Sequence, residues 1–214
     1  MKEKHITVNK TARYFILGEP SEKITQLWFV CHGYGQLANY FLKDFEILDN
    51  GKNLVVAPEG LHRFYWNGFD GKVVASWMTK EDRESDINDY VNYLDKLFDE
   101  TLRGFSRDKI QITILGFSQG VATVSRWVCF GKSKPDHLIL WAGVFPPDLK
   151  FDPDKNVFNK IKTTMVVGNQ DEFLRDGQIE EYEKKLKNMG IKYKLIRFDG
   201  KHEINKEVLK NLSA

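Results

Sequence analysis

The chain has 214 residues, with 32 Lys+Arg against 30 Asp+Glu for a net charge of +2. That length fits one domain able to bury about 70% of its unfolded surface. The near-balance of charge removes any electrostatic case for nucleic acid or an anionic membrane as partner. Residues 13–17 (RYFIL) and 27–32 (LWFVCH) read as strands, 38–48 as an amphipathic helix, and 53–57 (NLVVA) as a strand stopped by Pro58. Residues 58–80 are Gly-rich, aromatic-rich and irregular. A helix over 81–103 carries Ile87, Val91, Leu94, Leu97 and Phe98 at helical spacing, and 110–115 (IQITIL) is a strand. A helix over 119–130 follows, then strands at 137–141 and 163–167, a helix at 179–189, a strand at 193–198 and a terminal helix at 203–212.

Strands alternating with helices of this length require crossover connections and a mainly parallel sheet. Several strands are continuous apolar runs, as burial on both faces demands. The expected architecture is an α/β three-layer sandwich with helices on both faces, its first two strands forming an antiparallel start. Residues 1–214 read as a single domain, with 58–80 as a partial lid. No apolar run approaches the roughly 20 residues of a spanning helix, and Met1-Lys2-Glu3-Lys4-His5 leads into no apolar core, so neither a signal peptide nor stable membrane insertion is expected. The two cysteines, Cys31 and Cys129, lie far apart inside apolar runs. They argue against a disulfide framework or a cysteine-rich zinc site and fit a reducing, cytoplasmic setting.

In such a sheet the chemistry belongs at the carboxyl ends of the strands. Gly116-Phe117-Ser118-Gln119-Gly120 sits there, directly after one strand and directly before a helix. A serine on a sharp strand-to-helix turn has its hydroxyl lifted from the sheet, and flanking glycines clear the space that turn needs. The competing reading is a serine that only caps the helix. In serine hydrolases of this strand–turn–helix type the acid and base follow the nucleophile in the order Ser, Asp or Glu, His.

Of five histidines, only His137 and His202 follow Ser118. His137 opens a strand and so lies at the opposite edge, whereas His202 follows the last strand and suits a general base. Asp171, in Gly168-Asn169-Gln170-Asp171, follows the preceding strand and suits the carboxylate that orients it. Glu172, Asp176 and Asp148 compete for that role. One oxyanion donor is expected from the N–H of Gln119. The other is expected from Tyr34 in the loop Cys31-His32-Gly33-Tyr34-Gly35, with His32 holding that loop by a side-chain hydrogen bond. There is no H-E-x-x-H, no paired-cysteine ligand set, no G-x-G-x-x-G at a strand end and no Walker lysine, so no metal, cofactor or nucleotide is expected.

These segments together resemble the carboxylesterase/phospholipase group of α/β-hydrolases, which includes acyl-protein thioesterases and small bacterial serine esterases. The likeness rests on Gly116-Phe117-Ser118-Gln119-Gly120, His32-Gly33-Tyr34-Gly35, Gly168-Asn169-Gln170-Asp171 and Gly200-Lys201-His202, and their order and spacing span nearly the whole chain. Trp77-Met78 stands where that group has a Trp-bearing substrate loop. The chain departs from the group at Val121, where a second glycine is usual, at Gln36, where an acidic residue is frequent, and across 58–80. The resemblance implies a serine carboxylesterase with the catalytic set Ser118, Asp171 and His202.

Aromatic residues near the same edge, with Trp66, Trp77, Phe145 and Phe173 foremost, are expected to line an apolar pocket. Without a long lid insertion, short-chain esters or acyl thioesters fit better than long triglycerides. A non-catalytic small-molecule binding module, and a peptidase or carbohydrate esterase on the same residues, remain alternatives. The oligomeric state is not fixed by the sequence.

Overall fold

The computed structural model describes residues 1–149, 156–174 and 176–213. Nine strands are present among them: β1 (Tyr14–Leu17), β2 (Gln26–Cys31), β3 (Asn53–Pro58), β4 (His62–Tyr65), β5 (Val73–Ser76), β6 (Gln111–Phe117), β7 (His137–Trp141), β8 (Lys162–Gly168) and β9 (Lys194–Phe198). The helices are α1 (Ala38–Phe41), α2 (Arg83–Leu102), α3 (Gln119–Phe130), α4 (Asp176–Asn188) and α5 (Lys206–Leu212). Seven strands form one sheet in the order β1-β3-β2-β6-β7-β8-β9. From β3 to β9 every neighbouring pair is parallel.

The alternation of side chains along each strand feeds two separate cores. In β2, Leu27, Phe29 and Cys31 face α2, α3 and α4, where Leu94, Trp127 and Leu186 meet them. Trp28 and Val30 point the other way, toward Phe41, Phe45 and Leu209 beneath α1 and α5. A strand apolar on both faces can only sit inside a sheet covered on both sides. That geometry turns the carboxyl ends of β2, β6, β8 and β9 toward one edge.

Three local expectations are corrected. The first two strands do not pair with each other: β1 runs antiparallel to β3, and β2 lies inside, between β3 and β6. The segment expected as one helix over 38–48 has a single α-helical turn, after which Leu42–Leu48 is 3-10 helix. The reason is the spacing, because Leu42, Phe45 and Leu48 recur every third residue and are the buried ones, and in a 3-10 helix such residues share one face. Residues 58–80 are not irregular throughout. β4 and β5 form an antiparallel hairpin. Its turn contains Asn67-Gly68 at φ of +65° and +99°, the positive-φ pair that favours hairpin turns.

Candidate active site

Ser118 ends the run of β6 and precedes α3, with φ +53° and ψ −116°. A non-glycine residue held in this sparsely allowed region marks a position the surroundings over-determine. Its backbone is fixed on both sides: the N–H donates to Trp141 O at 2.9 Å, and Ser118 O accepts from Val121 N at 3.0 Å. The side chain makes no capping bond to α3, so the serine is not there as a helix cap. The two flanking glycines are sterically required. A Cβ at Gly116 would lie 2.3 Å from Gly120 O, and one at Gly120 would lie 2.2 Å from Cys31 O.

Asp171 and His202 are brought together by two loops that zip against each other. Asn169 N–H donates to Phe198 O and Gln170 N–H donates to Gly200 O, both at 2.9 Å. Asp171 ends up buried, and its Oδ2 accepts from His202 Nδ1 at 2.9 Å while Oδ1 accepts from Phe173 N–H at 2.9 Å. A carboxylate at Nδ1 leaves Nε2 as the free nitrogen, the tautomer a general base needs. The imidazole lies between Phe117 and Phe173, at ring-centroid distances of 4.8 and 4.7 Å. Phe117 directly precedes Ser118, so the ring stands beside the nucleophile candidate. Ser118 Oγ makes no hydrogen bond to the described residues; catalytic hydrogen bonds of this kind often tighten only around substrate.

Of the competitors for the acid role, Asp148 is otherwise engaged. Asp148 accepts from Arg126 at 2.7 and 3.1 Å and pairs with Arg83 at 2.9 Å. The Arg126 hydrogen bonds hold its carboxyl down at about 2. Glu172 is exposed, and the side chain of Asp176 lies outside the described residues.

The loop after β2 lies against Ser118: the position of a Gly33 Cβ would be 3.1 Å from Ser118 Cβ. His32 holds the loop from beneath. Its Nε2 accepts from Gly60 N–H at 2.9 Å and its Nδ1 faces Gly33 O at 2.8 Å. An amide N–H can only donate and a carbonyl can only accept, so the ring is the Nδ1–H tautomer. Gln36 Oε1 takes the Gly33 N–H at 2.7 Å. Gly35 N–H is taken by Ala75 O at 2.9 Å. Tyr34 N–H and Gln119 N–H are left without partners among the described residues, both beside Ser118.

Sequence reasoning missed the supports of this loop. Gln36 is one. Glu59 is another: it is buried and binds Arg13 through two hydrogen bonds, Arg63 through one, and the Ala38 N–H. Burial pushes the Glu59 carboxyl upward, but the Arg13 hydrogen bonds, with help from Arg63 and Ala38, outweigh it and hold the group below its ordinary value. Its position directly after β3 was the available signal, since the carboxyl ends of strands surround the site.

The aromatic residues divide. Trp66 and Phe173 are exposed beside the site. Trp77 and Phe145 are fully buried and offer no surface to a ligand. Trp77 instead donates from Nε1 to His32 O at 2.8 Å, and Phe145 packs edge-on against Phe158 with centroids 5.3 Å apart. The side chain of Gln119 reaches the same strut, accepting from Trp77 N–H at 3.2 Å and donating to Met78 O at 3.0 Å.

This combination is a serine on a strained elbow at a helix N-terminus, an imidazole oriented by a buried carboxylate, and two unengaged backbone donors. The chain belongs to the phospholipase/carboxylesterase family, whose model matches residues 13–214. Among solved structures it is similar to esterase PE8, at 19% identity with TM-score 0.69 over 95% of this chain and 97% of that one. Acyl-protein thioesterase 2 of Zea mays matches at 15% and TM-score 0.69, over 95% and 96%. A Bacillus cereus carboxylesterase matches at 15% and TM-score 0.68, over 96% and 93%. At such identities the likeness establishes the α/β-hydrolase fold and leaves the substrate to the site itself. No curated protein matches the chain in sequence. None of the described helices is long and apolar enough to cross a membrane.

Proposed function

We propose that the protein is a serine hydrolase that cleaves short-chain carboxylic esters or acyl thioesters through an acyl-enzyme. The observation that carries this reading is the hydrogen bond between His202 Nδ1 and the buried Asp171 carboxylate, next to a strained Ser118. His202 Nε2 takes the proton of Ser118 Oγ as the hydroxyl attacks the substrate carbonyl. The carbonyl oxygen, now an oxyanion, receives hydrogen bonds from the N–H groups of Tyr34 and Gln119, helped by the positive end of α3. The imidazolium, stabilised by Asp171, hands its proton to the departing alcohol or thiol. Water then attacks the acyl-Ser118 ester by the same route in reverse, with His202 as base, and releases the acid. Residues 1–214 act as one domain in this reading, with the hairpin β4–β5 walling one side of the site.

Steady-state hydrolysis of p-nitrophenyl butyrate tests it. Ser118→Ala is expected to lower kcat/KM by about a thousandfold or more, and Asp171→Asn by about a hundredfold or more with KM little changed. A Ser118→Ala protein within tenfold of the wild type would remove the serine from the chemistry.

A further inference from the structure

Two exposed aromatic faces flank Ser118. On the side of the loop after β2, the rings of Tyr34, Phe64 and Trp66 form a mutual cluster, with centroid distances of 5.6, 5.6 and 6.2 Å. Tyr34 is 52% and Trp66 42% exposed. The cluster is anchored to the loop that carries the Tyr34 N–H. Gly35 stands at φ +74°, and its missing Cβ would lie 2.6 Å from Trp66 Cζ3, so the indole packs directly against that backbone. Gln36 and Ala75 form a β-bridge that ties β5 to the same loop. On the other side Phe173, 64% exposed, covers the His202 ring.

The cavity next to His202, about 370 Å³, has a different character. Its lining mixes Gln36, Asp44, Glu203 and Lys206 with Phe41, Phe117 and Ile204. An alkyl chain placed there would strip water from the charged and amide groups. The exposed apolar surface beside the site is the rim of rings. Flat rings gain most from a flat partner, because stacked or edge-to-face aromatic pairs add attraction beyond the area they cover.

We propose that the acyl group this site selects is aromatic: the substrates are esters of small aryl-bearing carboxylic acids, with Tyr34 and Trp66 as the residues that read the ring. The inference rests on the serine-hydrolase reading and fixes its substrate class. The reaction geometry gives the assignment to the acyl side. The leaving oxygen must lie against His202 to collect its proton and the carbonyl oxygen must lie at the Tyr34 and Gln119 N–H groups, so the acyl substituent is turned away from His202. Tyr34 then has two separate functions, its backbone toward the oxyanion and its phenol ring toward the acyl group.

The test is kcat/KM for methyl phenylacetate against methyl hexanoate, which share a leaving group, in the wild type, Trp66→Ala and Tyr34→Ala. The ratio of the two cancels any general damage to the loop from either substitution. The wild type is expected to prefer the phenylacetate by about tenfold, and each variant to lower that ratio by about fivefold. Turnover of the hexanoate with a wild-type ratio at or below one, or a ratio unchanged in both variants, overturns the aromatic assignment and leaves the hydrolase reading standing. Turnover of p-nitrophenyl butyrate but of neither methyl ester also overturns the aromatic assignment alone, whereas turnover of none of the three overturns the hydrolase reading and this inference with it.

Discussion

His32 and His137 are the two histidines whose charge state the fold controls most strongly. Burial lowers the pKa of each to about 4 from 6.5, against an opposing pull from the Gly33 carbonyl and the Glu59 charge at His32 and with added repulsion from Lys162 at His137. The unfolded chain takes up these protons near pH 6.5 and the native protein only near pH 4. The unfolded state therefore binds more protons across that interval, and stability falls as pH drops through it, by about 3 kcal/mol per histidine. For His32 the mechanism is concrete: a protonated Nε2 can no longer accept from Gly60 N–H. Urea unfolding at pH 7, 5 and 4 measures the effect. His137→Gln is expected to be less stable at pH 7 yet to lose about 3 kcal/mol less than the wild type on going to pH 4. Parallel curves would contradict the assignment.

At the scale of elements, the site depends on how closely α3 approaches the end of β2. Gly120 makes that approach possible, since a Cβ there would strike the backbone oxygens of Cys31 and His32 at 2.2 and 2.9 Å. Backbone cannot move aside as the tip of a flexible side chain can. Gly120→Ala is expected to cost about 1–3 kcal/mol in chemical denaturation, whereas Gly104→Ala, with nothing within 4 Å of its Cβ, is expected to stay within about 0.5 kcal/mol of the wild type. Equal effects of the two substitutions would show that the contact is not what fixes α3.

The same scale explains what the sequence revealed. That Ser118, Asp171 and His202 come to one edge was legible because each follows a strand of a parallel sheet, which turns all such positions the same way. The hairpin β4–β5 was obscured because its strands are four residues each, too short to give a clear alternation amid glycines and aromatics. The burial of Trp77 and Phe145 was not legible either. A large aromatic side chain near a sheet edge can serve a ligand or the core, and only the three-dimensional arrangement, here the Trp77 bond to His32 O, decides between them. The roles of Gln36 and Glu59 arise from contacts with residues distant in sequence or with backbone groups, which no local pattern encodes.

At the scale of the whole molecule, the architecture separates support from chemistry. Two apolar cores, one on each face of the sheet, hold seven strands in a fixed order. The loops that carry Ser118, Asp171 and His202 lie at one edge. β8 and β9 are neighbours in register through Gly168 and Phe198, so the Asp171 and His202 loops start side by side, while β6 sits two strands from β8 across β7. β9, which leads to His202, is one strand further, so at roughly 4.8 Å per strand the span from β6 is about 14 Å, a distance the imidazole loop crosses by folding His202 back over Phe117. We propose that Ser118 is a nucleophile activated across this span by His202. Incubation of the folded protein with a fluorophosphonate, followed by mass spectrometry of its peptides, tests it most directly. The account expects one adduct per chain, on Ser118, absent from Ser118→Ala and formed at least a hundredfold more slowly in His202→Ala. Labelling at another residue, or a folded wild-type chain that stays unlabelled, would contradict it.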